Sequence, residues 1–300
     1  MGKATRIRQQ NAREKIAAQR AAARRTEVRN RVLITAGSVV VVLAIVLVFV
    51  LIKVSGNNNA PSAPGGVTGT ALPADVTKNV TGVPAAALNA VGVGSVPSYM
   101  AADQGGAAAV NKVSGNALTS GGKPEMLYIG AEFCPFCGAE RWGMAIALSR
   151  FGTFTTPLRG IHSSSTDVDP STPTLTFYKS GYTSKYLVFT PVENETVTKA
   201  LLQTPTASQQ ALWDKYNKGY YPFVDFGNQY VIKLPSYDPG VLANMTWAQV
   251  AAALHDPSSP VAQGADGTAN LITAAICKMT KGQPGDVCTA PGVVKASGSL

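Results

Sequence analysis

Two cysteines separated by two residues form the part of this chain best suited to chemistry, Cys134-Pro-Phe-Cys137. They follow an apolar run of strand character at residues 125–133 and precede a helical pattern at residues 138–151. A cysteine at a helix N-terminus faces unpaired backbone N–H groups and the positive end of the helix dipole, which stabilise a thiolate. The spacing predicts a redox-active pair in which Cys134 reacts with a substrate and Cys137 resolves the mixed disulfide.

Two other interpretations of this pair stay open. Four-cysteine zinc sites usually contain two tight pairs, whereas ten residues separate Cys277 from Cys288, and neither His162 nor His255 stands at ligand spacing. The second alternative is an inert pair of core thiols or a purely structural bridge, although so small a ring is strained and tends to be reactive.

The second pair of cysteines encloses a short segment that can turn at its glycines and proline. Outside the cytoplasm a disulfide is the expected state of such a pair. We therefore predict that Cys277 and Cys288 form a structural disulfide, with a relay that passes oxidising equivalents to the first pair as the alternative.

The positive charge of the chain is confined to its first residues. The sequence has 26 Lys or Arg and 17 Asp or Glu, a net charge of +9, and residues 1–31 hold ten of the bases but only two of the acids. The remainder is nearly neutral, so the charge predicts no nucleic-acid partner for the folded part. A contact of the basic arm with nucleic acid or lipid headgroups is the alternative to a role in topology.

An uncharged apolar run of 21 residues, 32–52, follows the basic arm. As a helix it is about 31 Å long, which matches a hydrocarbon core of roughly 30 Å. A cleavable signal peptide has a shorter apolar region and a cleavage site close behind it. We predict a single transmembrane helix in the lipid bilayer, with residues 1–31 in the cytoplasm and the chain after it extracytoplasmic.

The outer part divides into a tether and a folded domain. Residues 53–74 are rich in Gly, Asn, Pro and Ser, which predicts a flexible linker. Residues 75–300 are predicted to form one α/β domain with its core at about 120–290, in the order strand, helix, strand, insertion, hairpin and helices.

The hairpins and the helices between them are predicted from local patterns. Two helical pieces are expected at 195–218. A hairpin turns at Gly227-Asn228, and another joins the strand-like runs 174–180 and 185–193.

The Cys-X-X-Cys motif between a strand and a helix resembles that of the thioredoxin superfamily. With the basic arm and the apolar span, five further stretches are similar to an uncharacterised family of membrane-anchored bacterial thioredoxin-like proteins: YIGAEFCPFCGAERW, HSSSTDV, TPTLTFYKSGYTSKY, PFVDFGNQYVI and DGTANLITAAIC. The similarity covers about residues 120–290. It implies a thioredoxin-like fold with an insertion, as in the disulfide-oxidoreductase branch, and an extracytoplasmic place; it implies no particular substrate.

The resemblance also calls for a cis-proline facing the two cysteines. Pro222, which opens the predicted hairpin, is favoured over Pro173. With Pro222 in that role, the resemblance implies that residues 164–219 are a partly helical insertion. Related redox proteins often carry a buried acid six residues before the first cysteine, where this chain has Tyr128. Glu132 and Glu140 are acids close enough in sequence to replace it, with exposed surface charge as the alternative for both.

The sequence predicts a thiol–disulfide oxidoreductase that forms or exchanges disulfides in exported proteins, with no cofactor and no metal ion. Its expected partners are exported thiol-containing proteins and a membrane quinone-linked thiol oxidase, or a membrane electron donor if it acts as a reductase. A thioredoxin-like binding or scaffolding module with structural cysteines is the alternative. The residues predicted to support the two cysteines are Pro135, Phe136, Pro222 and Glu132.

Overall fold

The computed structural model describes residues 68–97 and 110–300. The predicted basic arm (1–31), the predicted transmembrane helix (32–52) and most of the predicted linker (53–74) lie outside these residues. Within the described ranges, none of the helices has the length and apolar character needed to cross a lipid bilayer. A short 3-10 turn spans Pro239–Leu242. The other elements, in chain order, are β1 (Thr70–Ala71), α1 (Ala74–Thr81), α2 (Ala85–Val91), β2 (Val110–Lys112), β3 (Thr119–Ser120), β4 (Lys123–Gly130), α3 (Pro135–Ser149), β5 (Gly152–Phe154), β6 (Arg159–His162), β7 (Pro173–Thr176), β8 (Tyr182–Ser184), β9 (Val188–Glu193), α4 (Ala207–Asn217), β10 (Phe223–Phe226), β11 (Tyr230–Ile232), α5 (Trp247–Ala253), α6 (Pro260–Met279), α7 (Gly285–Cys288) and α8 (Pro291–Ser297).

The predicted α/β class is confirmed, and β4 is the organising strand of its largest sheet. The order β2-β11-β10-β4 is antiparallel, β9 pairs with β4 in parallel, and β3 pairs with the first residues of β4. Gly130 lies opposite Glu193 on β9, and Ile129 lies opposite Phe223 on β10. The end of β4, the end of β9 and the start of β10 therefore lie at the same end of the sheet. The two cysteines follow β4 after a short loop.

The predicted hairpin between residues 174–180 and 185–193 is wrong. The first run contributes β7, which pairs with β6, and the second contributes β9, which pairs with β4. The insertion expected at 164–219 is therefore wrong in its bounds, because this range includes a strand of the largest sheet. Both runs are strands because their patterns are apolar and β-branched, but such patterns do not specify the partner strand. The Gly227-Asn228 hairpin is confirmed, as β10 and β11 pair antiparallel around it.

Two boundaries also differ from the sequence prediction. The strand β1 lies inside the predicted linker and pairs with β6, so the folded part begins before residue 75. Of the two helical pieces expected at 195–218, only α4 forms; its N-cap is Thr206, in a reciprocal capping box with Gln209. The segment before it is held instead by a bridge between Glu195 and Leu201.

The helices α3 and α6 pack side by side in the same direction. A Cβ on Gly143 of α3 would lie 2.6 Å from the Thr268 side chain of α6, so this close approach requires glycine. Further along both helices, Arg150 Nη1 donates to Asn270 Oδ1 at 3.1 Å. Because the residue numbers at these contacts increase in the same direction along both helices, the C-terminal ends of α3 and α6 lie at the same end of the fold.

The helix α6 also contains a buried acid, Asp266. Its side chain is 0% exposed, and neither carboxylate oxygen has a hydrogen-bond partner within the described chain. Burial raises the pKa of this carboxyl to about 8. The carboxyl is therefore protonated in the folded protein at neutral pH.

We expect Asp266→Asn to flatten the pH dependence of stability between about pH 4 and pH 8. The folded carboxyl keeps its proton while the unfolded one, with a pKa of about 3.9, loses it, so the folded state binds more protons and stability falls as pH rises. The slope removed is on the order of 1 kcal/mol per pH unit. Urea unfolding at several pH values measures it, with the exposed Asp75→Asn as control; an unchanged slope would contradict the assignment.

Candidate active site

The two cysteines of the Cys-X-X-Cys motif lie at the start of α3. Cys134 is the N-cap residue, and its Sγ accepts a hydrogen bond from the Cys137 backbone N–H at 3.2 Å. Pro135 occupies the first turn, where its missing N–H costs nothing. Both thiols are free and buried, with Cys134 4% exposed and Cys137 0% exposed. This is the predicted strand–motif–helix arrangement.

The two thiols differ in acidity. Burial raises the pKa of Cys134, but hydrogen bonds from the Cys137 thiol and backbone, with the charge of Arg141, outweigh burial and leave the pKa below its ordinary value. Burial raises the pKa of Cys137, and its interaction with Cys134 raises it further. The first thiol to ionise is therefore Cys134, as a nucleophilic cysteine requires.

A buried ion pair lies one turn further into α3. Arg141 Nε donates to Glu193 Oε1 at 2.9 Å and Nη2 donates to Oε2 at 2.6 Å, with both side chains 0% exposed. Glu193 ends β9, so the ion pair joins the cysteine helix to the strand beside β4. Sequence analysis missed both residues. One signal in the sequence could have identified Arg141. The helical pattern around it is apolar on every face, which indicates a buried helix, and a buried arginine needs a buried partner of opposite charge.

Both acids that were considered as replacements for the missing buried acid are themselves buried. Glu132 accepts hydrogen bonds from the hydroxyls of Thr68 and Thr176, the latter at 2.7 Å, and Glu140 accepts from the backbone and side chain of Ser236. Exposed surface charge is therefore wrong for both, since they are 1% and 0% exposed. Glutamates are usually exposed, but these two are buried because hydroxyl and backbone N–H groups in the interior donate hydrogen bonds to them.

Burial raises the pKa of both carboxyls. For Glu132 it outweighs the two hydroxyl donors, and for Glu140 it outweighs the Ser236 donors and brings the pKa to about 7. Tyr128, six residues before Cys134, is also 0% exposed. Burial raises its pKa well above the ordinary value, so the ring is a neutral neighbour of the site.

Aromatic side chains border the dithiol. Phe133, Phe136 and Tyr221 are half-buried and pack against the cluster of Ala131 and the two cysteines, hereafter the cysteine cluster. The Phe133 and Tyr221 rings meet edge to face with centroids 6.0 Å apart. The site rim is therefore apolar.

The two candidate prolines occupy different places. Pro222 is buried, follows Tyr221 through a cis peptide bond and immediately precedes β10. Pro173 begins β7, its peptide bond is not among the cis bonds, and its carbonyl accepts from Trp142 Nε1 at 3.0 Å. Of the two, Pro222 therefore adjoins the aromatic rim.

The second pair of cysteines, Cys277 and Cys288, forms a disulfide with an S–S distance of 1.97 Å. Measured from the contact between Gly143 and Thr268, Cys134 lies nine residues back along α3 and Cys277 nine residues forward along α6. At about 1.5 Å per residue the two sites are about 25 Å apart. Thiol–disulfide exchange needs bonding contact between sulfurs, so this arrangement favours a staple over a relay.

The same disulfide bears on the zinc interpretation. Thiolates are the zinc ligands, so a four-cysteine site cannot use the disulfide-bonded Cys277 and Cys288. Over the described ranges, no three His, Cys, Asp or Glu side chains come together as a possible metal site. The arrangement at Cys134 is that of a dithiol.

Comparison with known proteins identifies a family. The family model described as Domain of unknown function (DUF929) matches residues 109–278, more than half of the chain. The matched region contains the dithiol and the buried ion pair and ends before Cys288. No curated protein and no solved structure matches the chain.

Proposed function

The chain belongs to the DUF929 family, and from the chemistry of its dithiol we propose that it is an extracytoplasmic thiol–disulfide oxidoreductase acting on exported proteins. The observation that carries the proposal is the pair of free thiols at a helix N-terminus, with the pKa of Cys134 lowered and that of Cys137 raised. A low first pKa makes Cys134 a good leaving group and an available nucleophile, which are the two properties that exchange demands.

A thioredoxin-like fold is part of this proposal. Its support is the order strand, Cys-X-X-Cys and helix, with the parallel strand β9 on one side of β4 and the antiparallel hairpin β10–β11 on the other. Pro222 opens that hairpin beside the aromatic rim. The extracytoplasmic place rests on the sequence of residues 1–52, a basic arm followed by an apolar span.

The exchange moves two electrons. In the oxidising direction a substrate thiolate attacks Sγ of Cys134 in the Cys134–Cys137 disulfide, the S–S bond breaks, and Cys137 leaves as a thiolate and takes up a proton. A second substrate thiolate then attacks the substrate sulfur of the mixed disulfide and releases Cys134 as a thiolate. The substrate gains a disulfide and the pair becomes a dithiol.

The cycle needs a partner that accepts the two electrons. We propose a membrane quinone-linked thiol oxidase for the oxidising direction, and a membrane electron donor if the reaction runs in reverse. Since Phe136 stands where strong oxidants carry histidine, the potential of the pair decides between them.

Cysteine variants test the proposal in the purified full-length chain. We expect Cys134→Ser to lower exchange with a dithiol peptide to the uncatalysed rate. Mixed with the disulfide-bonded form of the peptide, Cys137→Ser should retain attack by Cys134 on that disulfide and accumulate a mixed disulfide, because Cys137 is no longer present to resolve it. Mass spectrometry of the adduct and the rate of peptide oxidation measure both effects.

A binding module is the second candidate, favoured by the 4% exposure of Cys134. Attack by a substrate requires the rim of Phe133, Phe136 and Tyr221 to open, whereas a module with structural cysteines requires no opening. If the wild type exchanges with no dithiol at any glutathione ratio, and Cys137→Ser forms no adduct, the binding module replaces the oxidoreductase.

A further inference from the structure

We propose that Arg141 is a positioning residue of the dithiol: held in place by Glu193, its buried charge stabilises the reduced, thiolate-bearing pair and makes the Cys134–Cys137 disulfide a stronger oxidant. The inference rests on the proposed function for its biological meaning. The effect of the Arg141 charge on the reduced thiols can be measured independently of that function.

The guanidinium of Arg141 is fixed at three points. Two are its hydrogen bonds to the Glu193 carboxylate, and the third is a bond from Nη2 to the Ala131 carbonyl at 2.8 Å. Glu193 is itself oriented by the Phe177 backbone N–H, 3.0 Å from Oε1. A planar guanidinium held in this way cannot turn away from the site.

The same contacts place the cation against the cysteines. Arg141 lies four residues after Cys137, one turn along the same face of α3. Ala131, which accepts its third hydrogen bond, packs directly against both sulfur-bearing residues in the cysteine cluster. The Glu193 carboxylate reaches the guanidinium from β9, and the charge of Arg141 acts to lower the pKa of both thiols.

One nitrogen of the cation has no partner. Arg141 Nη1 is buried and makes no hydrogen bond to any described residue. A buried charged donor left without a hydrogen-bond partner destabilises the folded state. A negative charge forming on the nearby thiols reduces that destabilisation, whereas a neutral disulfide does not.

The other charged and titratable groups around Arg141 do not replace it. On β4, the Tyr128 ring lies with its centroid 5.8 Å from the guanidinium carbon, and it is neutral. Glu132, in the loop before the cysteines, is an acid and acts against a thiolate. Lys199 lies over the Phe133 ring but is exposed, so solvent screens its charge.

Charge stabilisation of the reduced pair has a defined redox consequence. A disulfide whose reduced form is stabilised is a stronger oxidant, because reduction then releases more free energy. Removing the cation should shift the pair toward the disulfide, and removing only its counter-charge should shift the pair toward the dithiol. These opposite signs distinguish an electrostatic role from a merely structural one.

Two variants of the full-length chain use that difference. Arg141→Met/Glu193→Gln removes both charges, and Glu193→Gln alone leaves the cation without its carboxylate. We measure the pH at which Cys134 alkylation by iodoacetamide is half-maximal, and the equilibrium of the pair with glutathione. Arg141→Lys, which keeps the charge, is the matched control.

We expect the double variant to raise the alkylation midpoint by about one pH unit and to favour the disulfide about tenfold, which is about 30 mV for two electrons. Glu193→Gln should move both quantities the other way, and Arg141→Lys should stay near the wild type.

The proposal is overturned if the alkylation midpoint shifts with the same sign in Arg141→Met/Glu193→Gln and in Glu193→Gln. It is also overturned if a folded double variant shows no shift. If the double variant does not fold, Glu193→Gln decides alone, and an unchanged or raised midpoint overturns it. A wild type that never exchanges with glutathione refutes the proposed function, while the alkylation profiles still report what Arg141 does.

Discussion

Replacing Glu193 with alanine is expected to lower the free energy of unfolding by about 3–5 kcal/mol, the usual cost of breaking a buried ion pair. Arg141 is 0% exposed and would keep a buried charge without its carboxylate. The Phe177 backbone N–H would lose its acceptor as well. Guanidinium chloride unfolding at neutral pH measures the loss.

The matched control for this variant is Glu195→Ala. Glu195 is an acid two residues further along the chain, half-buried, that accepts a hydrogen bond from the Tyr221 hydroxyl at 3.1 Å and forms no ion pair among the residues with described positions. Its loss should cost about 1 kcal/mol. Arg141→Met/Glu193→Gln should recover part of the stability lost in Glu193→Ala, because it leaves no unpaired charge. Equal stabilities of Glu193→Ala and Glu195→Ala would show that the ion pair contributes nothing.

Removing the second disulfide with Cys277→Ser/Cys288→Ser is expected to cost about 3 kcal/mol, because the unfolded chain regains the freedom that an 11-residue separation restricts. Exchange by Cys134 should proceed at the wild-type rate, since the staple lies about 25 Å from it. Thermal unfolding and the peptide oxidation assay measure the two effects separately.

Chemical reduction supplies a control for these serine variants. In a mild reductant the wild type should lose the same stability as the double serine variant, which separates the loss of the bond from the effect of the serine side chains. A wild-type chain whose exchange stops when only the second disulfide is removed would point instead to a relay.

Local sequence was sufficient to predict the features that local physics controls. The Gly227-Asn228 turn has positive φ at both residues, +65° and +56°, a conformation that glycine and asparagine adopt more readily than other residues. The apolar run before the motif becomes β4, and the helical pattern after it becomes α3. These choices depend on neighbours within a few positions.

Partners distant in sequence could not be predicted in this way. Arg141 and Glu193 are 52 residues apart, and the local sequence around either residue does not predict the other as its partner. Glu132 was considered for the site, but its burial depends on Thr68, 64 residues away. Strand patterns likewise predicted β7 and β9 but not their partners, because pairing is decided by which apolar surfaces remain to be covered.

The spacing of the four cysteines has a consequence for how the chain itself becomes oxidised. Four cysteines can form two disulfides in three ways. The structure joins Cys277 to Cys288, eleven positions apart, and leaves Cys134 and Cys137, three positions apart, as free thiols. A cross-pair such as Cys134 with Cys277 closes a loop 143 positions long, which costs about 2 kcal/mol more loop-closure entropy than the Cys277–Cys288 loop. Under oxidising conditions an unfolded chain is thus biased towards the Cys277–Cys288 disulfide and against the long cross-pairs before any tertiary contact forms.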